Sequence, residues 1–255
     1  KILKSFILYI LMKKNLILKT AINEITLNDL VSKLLNSDSL SIALCNANSV
    51  VRAYRNDALN DTLNKFDVCT SDGFPVALAS RILYKNNQQR VDGYKLFKQT
   101  LIDSKNRNTT HYFFGNTEEV VTKIINKFKI SHPEINIVGY QCPPVLEVEE
   151  LLNEKYVSEM LNIKPDVIWV SLGFPKQEKF ISKFIEMYDS KSNMIGIGFT
   201  FDWIAGTKYK APELLANIGL EWLFRLAQEP RRLFKRYLID NFLFIIYFIK
   251  QYSNK

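Results

Sequence analysis

The sequence is poor in histidine, cysteine and glycine, and each shortage weakens the case for a class of site. Among 255 residues there are two histidines, three cysteines and nine glycines. Cys45, Cys69 and Cys142 are far apart and follow no metal-ligand spacing, so a disulfide framework is disfavoured and a reducing compartment is favoured. His111 and His132 are isolated, so a zinc site or a Ser-His-Asp triad has little to be built from. We expect both histidines to be surface or hydrogen-bonded structural residues.

The nucleotide-binding fingerprints that depend on glycine are absent as well. No G-x-G-x-x-G opens the first strand–helix unit, and no G-x-x-x-x-G-K-[ST] occurs anywhere in the chain. The stretch GIGFTF at residues 196–201 holds only a lone Gly-x-Gly, which is a weak signal. These absences disfavour a dinucleotide-dependent oxidoreductase and a P-loop nucleoside triphosphatase.

What the sequence does contain is an alternation of apolar runs and helical patterns. The hydrophobic fraction of 47% and the aromatic fraction of 13% are those of a folded protein. Residues 117–130 and 148–162 have apolar side chains at helical spacing. The strand candidates are residues 40–48, 66–73, 111–116, 135–141, 166–173 and 193–202. This order predicts an α/β fold with a mostly parallel, Rossmann-like sheet flanked by helices.

The net charge of +8 is concentrated towards the C-terminus. From about residue 208 the strand signals stop, and basic residues alternate with aromatic ones in what we predict to be a helical appendage. Such helices suit an anionic surface, either phosphate head groups or nucleic acid. Residues 238–249, LIDNFLFIIYFI, are strongly apolar but shorter than the roughly 20 residues of a membrane span, so they are predicted to be interfacial or core-packed.

We predict three segments: an N-terminal extension at residues 1–15, an α/β domain at 16–207 and the appendage at 208–255. The extension has a short apolar core between positive residues, with no small-residue cleavage site after it. We therefore do not expect it to be a signal peptide.

Small and polar residues follow several of the predicted strands. Ligands of parallel α/β sheets bind beyond the carboxyl ends of the strands, so these residues mark a predicted site. Asp72 stands at such a bend, before Gly73 and Pro75. It is either a general base or the cap of the helix that begins near residues 74–75, and the local sequence leaves both open.

Three stretches, at residues 70–82, 170–181 and 196–237, hold an ordered set of motifs. The set resembles the WecG/TagA/CpsF family of bacterial glycosyltransferases, with weaker similarity over about residues 16–248. The matching elements are Asp72-Gly73, Gly173-x-Pro175-Lys176-Gln177-Glu178, Phe201-Asp202-x-x-x-Gly206, Ala211-Pro212, Glu221-Trp222-Leu223-x-Arg225-Leu226 and Glu229-Pro230-x-Arg232.

The resemblance implies an inverting, metal-independent transferase that needs no cofactor. It implies transfer of a hexose, often of the N-acetylmannosamine type, from a UDP-sugar to a polyprenyl-diphosphate-linked saccharide in cell-surface polysaccharide or teichoic-acid synthesis. The reaction would take place at the cytoplasmic face of the plasma membrane, with the appendage docked on the anionic surface. No Asp-x-Asp is present to hold a metal, so helix N-termini and arginines are expected to balance the charge of the departing UDP.

The resemblance also assigns roles to residues. Asp72 is the expected base, and Gln177 the expected ligand of sugar hydroxyls or of the acceptor. Arg225 and Arg232 are expected to reach over the active site, and Arg231 and Arg236 to serve the same pocket or to face the membrane. The further substrate-binding candidates are Asn46, Asn48, Gly73 and Asp202.

Each assignment has a structural alternative. Asn46 and Asn48 are also ordinary turn residues, Asp202 is also a helix cap, and the arginines are also a solvated basic face. Glu178 and the lysines around it are equally well read as surface charges.

The chain departs from the family pattern at three places. Leu44 stands where a threonine is common, Gly93-Tyr94-Lys95 replaces a Gly-Ser-Asp type of sequence, and Lys210 replaces an arginine. These changes leave the reaction class intact and leave the identity of the donor sugar open.

Two readings compete with the transferase. One is a non-catalytic basic α/β module that binds nucleic acid or anionic lipid, and the other is a nucleotide-cofactor oxidoreductase. Under the transferase reading nucleic acid is not a partner, and the sequence leaves homo-oligomerisation open.

Overall fold

The computed structural model describes residues 13–254, except for the side chains of Lys235 and Arg236. Residues 1–12 of the predicted extension therefore lie outside the described part. The first described elements are β1 (Lys14–Ile17) and β2 (Thr20–Asn23), which form an antiparallel hairpin. The sequence patterns do not predict this hairpin.

Parallel strands and covering helices then alternate. The strands are β3 (Ser41–Cys45), β4 (Val68–Ser71), β5 (Thr110–Gly115), β6 (Asn136–Gln141), β7 (Val167–Ser171) and β8 (Asn193–Gly196). The helices are α1 (Leu27–Leu34), α2 (Ala47–Tyr54), α3 (Asp57–Asn64), α4 (Phe74–Tyr84), α5 (Gly93–Ser104), α6 (Glu118–Ser131), α7 (Val148–Leu151), α8 (Glu154–Ile163), α9 (Lys176–Tyr188), α10 (Thr200–Ala205), α11 (Glu213–Asn217), α12 (Glu221–Gln228) and α13 (Pro230–Ser253).

The six strands β3 to β8 form one parallel sheet in the order β4-β3-β8-β7-β5-β6. The predicted fold class is confirmed. Because the strands are parallel, the carboxyl ends of β3, β4, β7 and β8 lie along one edge, and the residues after them converge there.

Each face of the sheet is covered by an apolar core. On one face, Phe97 of α5 packs edge-on against Trp169 of β7 at 4.9 Å between ring centroids. On the other face, Phe114 of β5 stacks on Phe180 of α9 at 4.5 Å. Aromatic pairs of this kind hold the helices at defined positions, so the loops at the sheet edge are presented by a rigid frame.

Some predicted element bounds are wrong. The predicted strand at 40–48 ends at Cys45, because Asn46 caps the helix α2. The predicted helix at 148–162 is two helices, because the Asn153 side chain accepts a hydrogen bond from the N–H of Lys155 and starts α8 anew. The predicted strand at 193–202 ends at Gly196, because Gly198 has φ +50° and the chain turns into α10.

His111 is a satisfied core residue. It is fully buried in β5, where its Nδ1 accepts a hydrogen bond from the Trp169 indole at 3.2 Å and its Nε2 lies 2.8 Å from the Ser104 hydroxyl. Burial lowers the pKa of His111 to about 4.

The appendage consists of α11, α12 and α13, and it packs on the α/β domain. Phe244 of α13 is buried in the core, and Tyr247 contacts Tyr54 of α2 at 4.7 Å between ring centroids. Between residues 13 and 254, no helix is both long enough and apolar enough to cross a membrane.

Candidate active site

Two adjoining cavities lie at the carboxyl edge of the sheet, and Asn46, Asp72 and Arg225 line both of them. We call one the glycine-lined cavity. Its further lining includes Gly173, Gln177, Glu178, Gly196, Gly198, Phe199, Trp203 and Arg232. We call the other the appendage cavity, because residues of α11, α12 and α13 form part of its wall. Its further lining includes Asn48, Gly73, Phe74, Arg90, Glu221, Trp222 and Tyr237. They span about 730 Å³ and 580 Å³, open mouths included.

Asp72 stands where the two cavities meet, one residue after β4 ends. Its N–H donates to the carbonyl O of Cys45 at 2.9 Å, and its Oδ1 accepts from the N–H of Gly93 at 3.2 Å. The carboxylate makes no capping bond to α4, whose N-cap is Gly73. A side chain at Gly73 would place its Cβ 3.1 Å from the Cβ of Asn46, so a larger residue there would crowd the junction.

The carboxylate of Asp72 is held in a partly desolvated and strongly charged setting. Burial raises its pKa to about 6, against the lowering effect of the Arg90 guanidinium. The carboxylates of Asp92 and Glu221 raise the pKa further, and the hydrogen bond from Gly93 lowers it. A carboxylate with this pKa is ionised near neutral pH and is a stronger base than an exposed aspartate.

The sequence patterns do not predict the partners of Asp72. Arg90 donates from Nε to the carbonyl O of Asp72 at 2.5 Å and contacts the carboxylates of Asp92 and Glu221. The one sequence feature that points to these partners is Arg-Val-Asp-Gly at residues 90–93, which places two charged residues in a loop. Sequence alone does not connect this loop to Asp72.

The two asparagines after β3 take different positions. Asn46 is the N-cap of α2, because its Oδ1 accepts a hydrogen bond from the N–H of Ser49 at 3.2 Å. The same residue also lines both cavities. Asn48 is not at the strand end but inside the first turn of α2, where it is buried and donates to Asp240 of α13. Its Oδ1 has no hydrogen-bond partner among the described residues.

Gln177 and Glu178 lie under the glycine-lined cavity in the first turn of α9. Of the two alternatives for Glu178, the surface charge is wrong, because only 1% of the residue is exposed. Nε2 of Gln177 donates to Oε1 of Glu178 at 2.9 Å, while its Oε1 has no hydrogen-bond partner in the described part of the chain. Gly196 and Gly198 make room for the amide, since a Cβ at Gly196 would lie 2.7 Å from Nε2.

Asp202 lies outside this arrangement. The prediction that it ends a strand is wrong, and it is not a helix cap either, because it is the third residue of α10. Its Oδ2 accepts from the Asn116 amide at 3.0 Å, and its Oδ1 lies 3.3 Å from the Thr207 hydroxyl. It lines neither of the two cavities.

The arginines of the appendage separate into two groups. The Arg225 guanidinium lies over the rings of Phe199 and Trp203, at 4.8 and 5.3 Å from their centroids, and Arg232 lies 5.6 Å from the Phe199 centroid. Arg231 is exposed and lines neither cavity. The side chain of Arg236 lies outside the described part.

For the residues that the structure describes, no three His, Cys, Asp or Glu side chains form a group that could hold a metal ion. The three carboxylates of Asp72, Asp92 and Glu221 are instead neighbours of the Arg90 guanidinium.

The fold and the site define a parallel α/β protein with two adjoining cavities at the carboxyl edge of its sheet. The glycosyl transferase WecG/TagA/CpsF family matches residues 16–255 of the chain. The chain belongs to this family and is a glycosyltransferase.

Its relatives include bacterial enzymes named N-acetylglucosaminyldiphosphoundecaprenol N-acetyl-beta-D-mannosaminyltransferase. The Bacillus spizizenii protein is 30% identical over 71% of this chain and 68% of its own length. The Bacillus subtilis protein is 28% identical over 76% and 73%. A Staphylococcus aureus protein is 26% identical over 83% and 81%.

Proposed function

We propose that this protein is an inverting, metal-independent transferase that moves an N-acetylmannosamine-type hexose from a UDP-sugar to a polyprenyl-diphosphate-linked saccharide. The observation that carries the proposal is the position of Asp72, a carboxylate with a pKa of about 6 at the junction of two cavities. The named activity of the relatives supports the choice of sugar and of an acceptor with N-acetylglucosamine on undecaprenyl diphosphate.

The donor binds in the glycine-lined cavity. The bend from Gly173 into α9 offers backbone N–H groups to phosphate oxygens, and Gly198, which has no side chain, allows the nucleotide to approach the backbone. Arg225 and Arg232, held over Phe199, supply positive charge at the same cavity. The free Oε1 of Gln177 accepts from an O–H or N–H of the sugar.

The acceptor saccharide binds in the appendage cavity, where Trp222 and Tyr237 provide apolar surface. Its hydroxyl attacks the anomeric carbon from the face opposite UDP, and Asp72 takes the proton. The new bond joins the acceptor oxygen to the anomeric carbon, while the bond to the UDP oxygen breaks and UDP leaves with the electron pair. The configuration is inverted, and the arginines stabilise the charge on UDP.

The appendage docks on the cytoplasmic face of the plasma membrane. Along α13, Leu238, Phe242, Ile245, Ile249 and Tyr252 are 47–64% exposed and recur at helical spacing. We call these five residues the α13 stripe. The exposed Arg231 and Lys250 flank it and suit anionic head groups. This position brings the site to a lipid-linked acceptor.

Ligand-dependent thermal stability tests the proposal against the basic-module and oxidoreductase readings. At a hundred times its Kd, UDP is expected to raise the Tm by roughly 5–10 °C. A UDP-sugar is expected to do the same without added metal, whereas NAD and polynucleotide are not. Stabilisation by polynucleotide alone would replace the proposal with the binding-module reading. Release of UDP from UDP-N-acetylmannosamine, dependent on a lipid-linked N-acetylglucosamine acceptor, tests the reaction itself.

A further inference from the structure

Arg90 lies between the loop that carries Asp72 and the appendage, and its guanidinium bonds to both. Nε donates to the carbonyl O of Asp72 at 2.5 Å, and Nη2 donates to Asp92 at 3.1 Å. On the appendage side, Nη1 donates to the carbonyl O of Ala216 in α11 at 3.4 Å, and Nη2 forms an ion pair with Glu221, the first residue of α12. The guanidinium therefore joins the sheet edge to the appendage: Nε bonds to the sheet edge, Nη1 to the appendage and Nη2 to both.

Asp92 anchors this arginine and extends the contact to the start of the appendage. Its Oδ1 accepts from two backbone N–H groups in the first turn of α5, which leaves Oδ2 for Arg90 and, at 2.7 Å, for the Lys210 ammonium. The next residue, Gly93, donates to Oδ1 of Asp72. Residues 90–93 thus hold both the main chain and the carboxylate of Asp72.

The charges in this cluster are poorly accessible to water. The side chains of Arg90, Asp92 and Glu221 are 18%, 7% and 17% exposed, so their interactions are screened less than those of surface pairs. Three carboxylates, those of Asp72, Asp92 and Glu221, face two cations, Arg90 and Lys210, so the cluster carries one excess negative charge when all five groups are ionised. Removal of either Arg90 or Glu221 would leave a buried group without its partner.

We propose that Arg90 and Glu221 are positioning residues that couple docking of the appendage to the placement of Asp72. When α12 is docked, Glu221 engages the guanidinium, and the guanidinium holds the main chain of Asp72 at the junction of the cavities. When α12 leaves, Arg90 loses its bonds to Glu221 and Ala216 together. The base is then correctly held only in the closed site. The inference rests on the proposed role of Asp72.

The two members of the pair act on Asp72 with opposite sign. Glu221 raises the pKa of Asp72 and Arg90 lowers it, while Asp92 raises it and stays in place when either is replaced. The other charged residues that line the cavities around Asp72 also stay unchanged: Glu178 on α9, Arg225 on α12 and Arg232 on α13.

The pH dependence of kcat/KM tests the coupling. In Glu221→Gln the acid limb, which follows protonation of Asp72, is expected to move to lower pH, and in Arg90→Gln to higher pH. Both are expected to lose about 10- to 100-fold in kcat through misplacement of the base. Arg90→Lys keeps the charge and loses the forked contacts, so kcat should fall with little shift of the limb.

Glu213→Gln is the matched control, because Glu213 forms an exposed ion pair with Lys95 that also links α11 to α5. It should change neither kcat nor the limb by more than about twofold, since exposed pairs contribute little.

Tryptic cleavage at Lys208 and Lys210 measures docking without any activity. It is expected to be faster in Glu221→Gln and Arg90→Gln than in the wild type and in Glu213→Gln. An unmoved limb in Glu221→Gln, or wild-type cleavage in both variants, overturns the proposal. If the wild type transfers no sugar but Glu221→Gln is still cleaved faster, the proposed function fails and the docking contact stands.

Discussion

The amide of Gln177 and the carboxylate of Glu178 are hydrogen-bonded neighbours, 2.9 Å apart and both buried, at the floor of the glycine-lined cavity. A carboxylate only accepts hydrogen bonds, so Glu178 requires the NH₂ group of Gln177 to face it. The Oε1 of Gln177 is thereby turned away from Glu178, near Gly198, and it is buried without a hydrogen-bond partner among the described residues. The donor sugar is expected to offer an O–H or N–H at that point.

Glu178→Gln is expected to raise the KM for the UDP-sugar about fivefold, because a glutamine at this position no longer fixes the orientation of the Gln177 amide. The Kd of UDP, which lacks the sugar, should stay within about twofold. Glu186→Gln on the exposed side of α9 is the control. Equal effects on UDP and UDP-sugar would indicate a general disturbance of α9 instead.

Asp72→Asn is expected to lower kcat by about 10²- to 10⁴-fold, because no group then takes the acceptor proton. Its Oδ1 still accepts from Gly93, so UDP binding should be retained. In the wild type, kcat/KM should rise with pH through about 6, where the raised pKa of Asp72 places its ionisation, and the variant should lose this limb. Asp103→Asn, on the exposed face of α5, serves as control. Wild-type turnover in Asp72→Asn removes it as the base.

Replacement of Ile245 and Ile249 by glutamine should weaken binding to vesicles with anionic lipid at least about tenfold, because both side chains bury apolar area at the interface. They are 55% and 56% exposed, so the Tm should change little. Ile130→Gln, at an 85% exposed position on α6, is the matched control and should leave vesicle binding unchanged. Undiminished sedimentation of the double variant with vesicles contradicts docking through the α13 stripe.

His111 is expected to make the fold sensitive to mild acid. The Trp169 indole only donates, so Nδ1 of His111 is the acceptor and its Nε2–H donates to Ser104. Protonation of Nδ1 breaks the hydrogen bond from the Trp169 indole. Because burial lowers the pKa of His111 from 6.5 to about 4, the unfolded chain binds the proton more tightly. Stability present above pH 6.5 is then lost as the pH falls towards 4.

The size of this loss is about 3 kcal/mol in the free energy of unfolding, from the difference between the two pKa values. Urea titrations at several pH values measure it. His111→Asn should be less stable than the wild type at neutral pH. Its free energy of unfolding should fall less steeply with decreasing pH between 6.5 and 4. An equal slope in the variant assigns the acid sensitivity to carboxylates elsewhere.

Sequence patterns predicted where the strands of the parallel sheet lie along the chain, but not every residue at which a strand ends. The strand β7 is easy to recognise in the sequence. All its residues are buried, and β-branched or aromatic side chains dominate the run. The end of β8 was missed, because the apolar run continues through a turn at Gly198 into α10 and hydrophobicity alone does not register the change of direction. The hairpin of β1 and β2 was missed because its strands, KNLI and TAIN, contain polar residues and form no continuous apolar run.

The chain by itself determined the fold class, the family and the position of Asp72 after a strand, since these depend on local periodicity and on motifs read in order. Tertiary structure alone decided which groups surround that carboxylate. Arg90 meets Glu221 across 131 positions, and Asn48 meets Asp240 across 192. Contacts at such separations arise from how helices pack on the sheet edge, which local pattern does not encode. The same packing buries Glu178, whose neighbours in sequence are those of a surface helix.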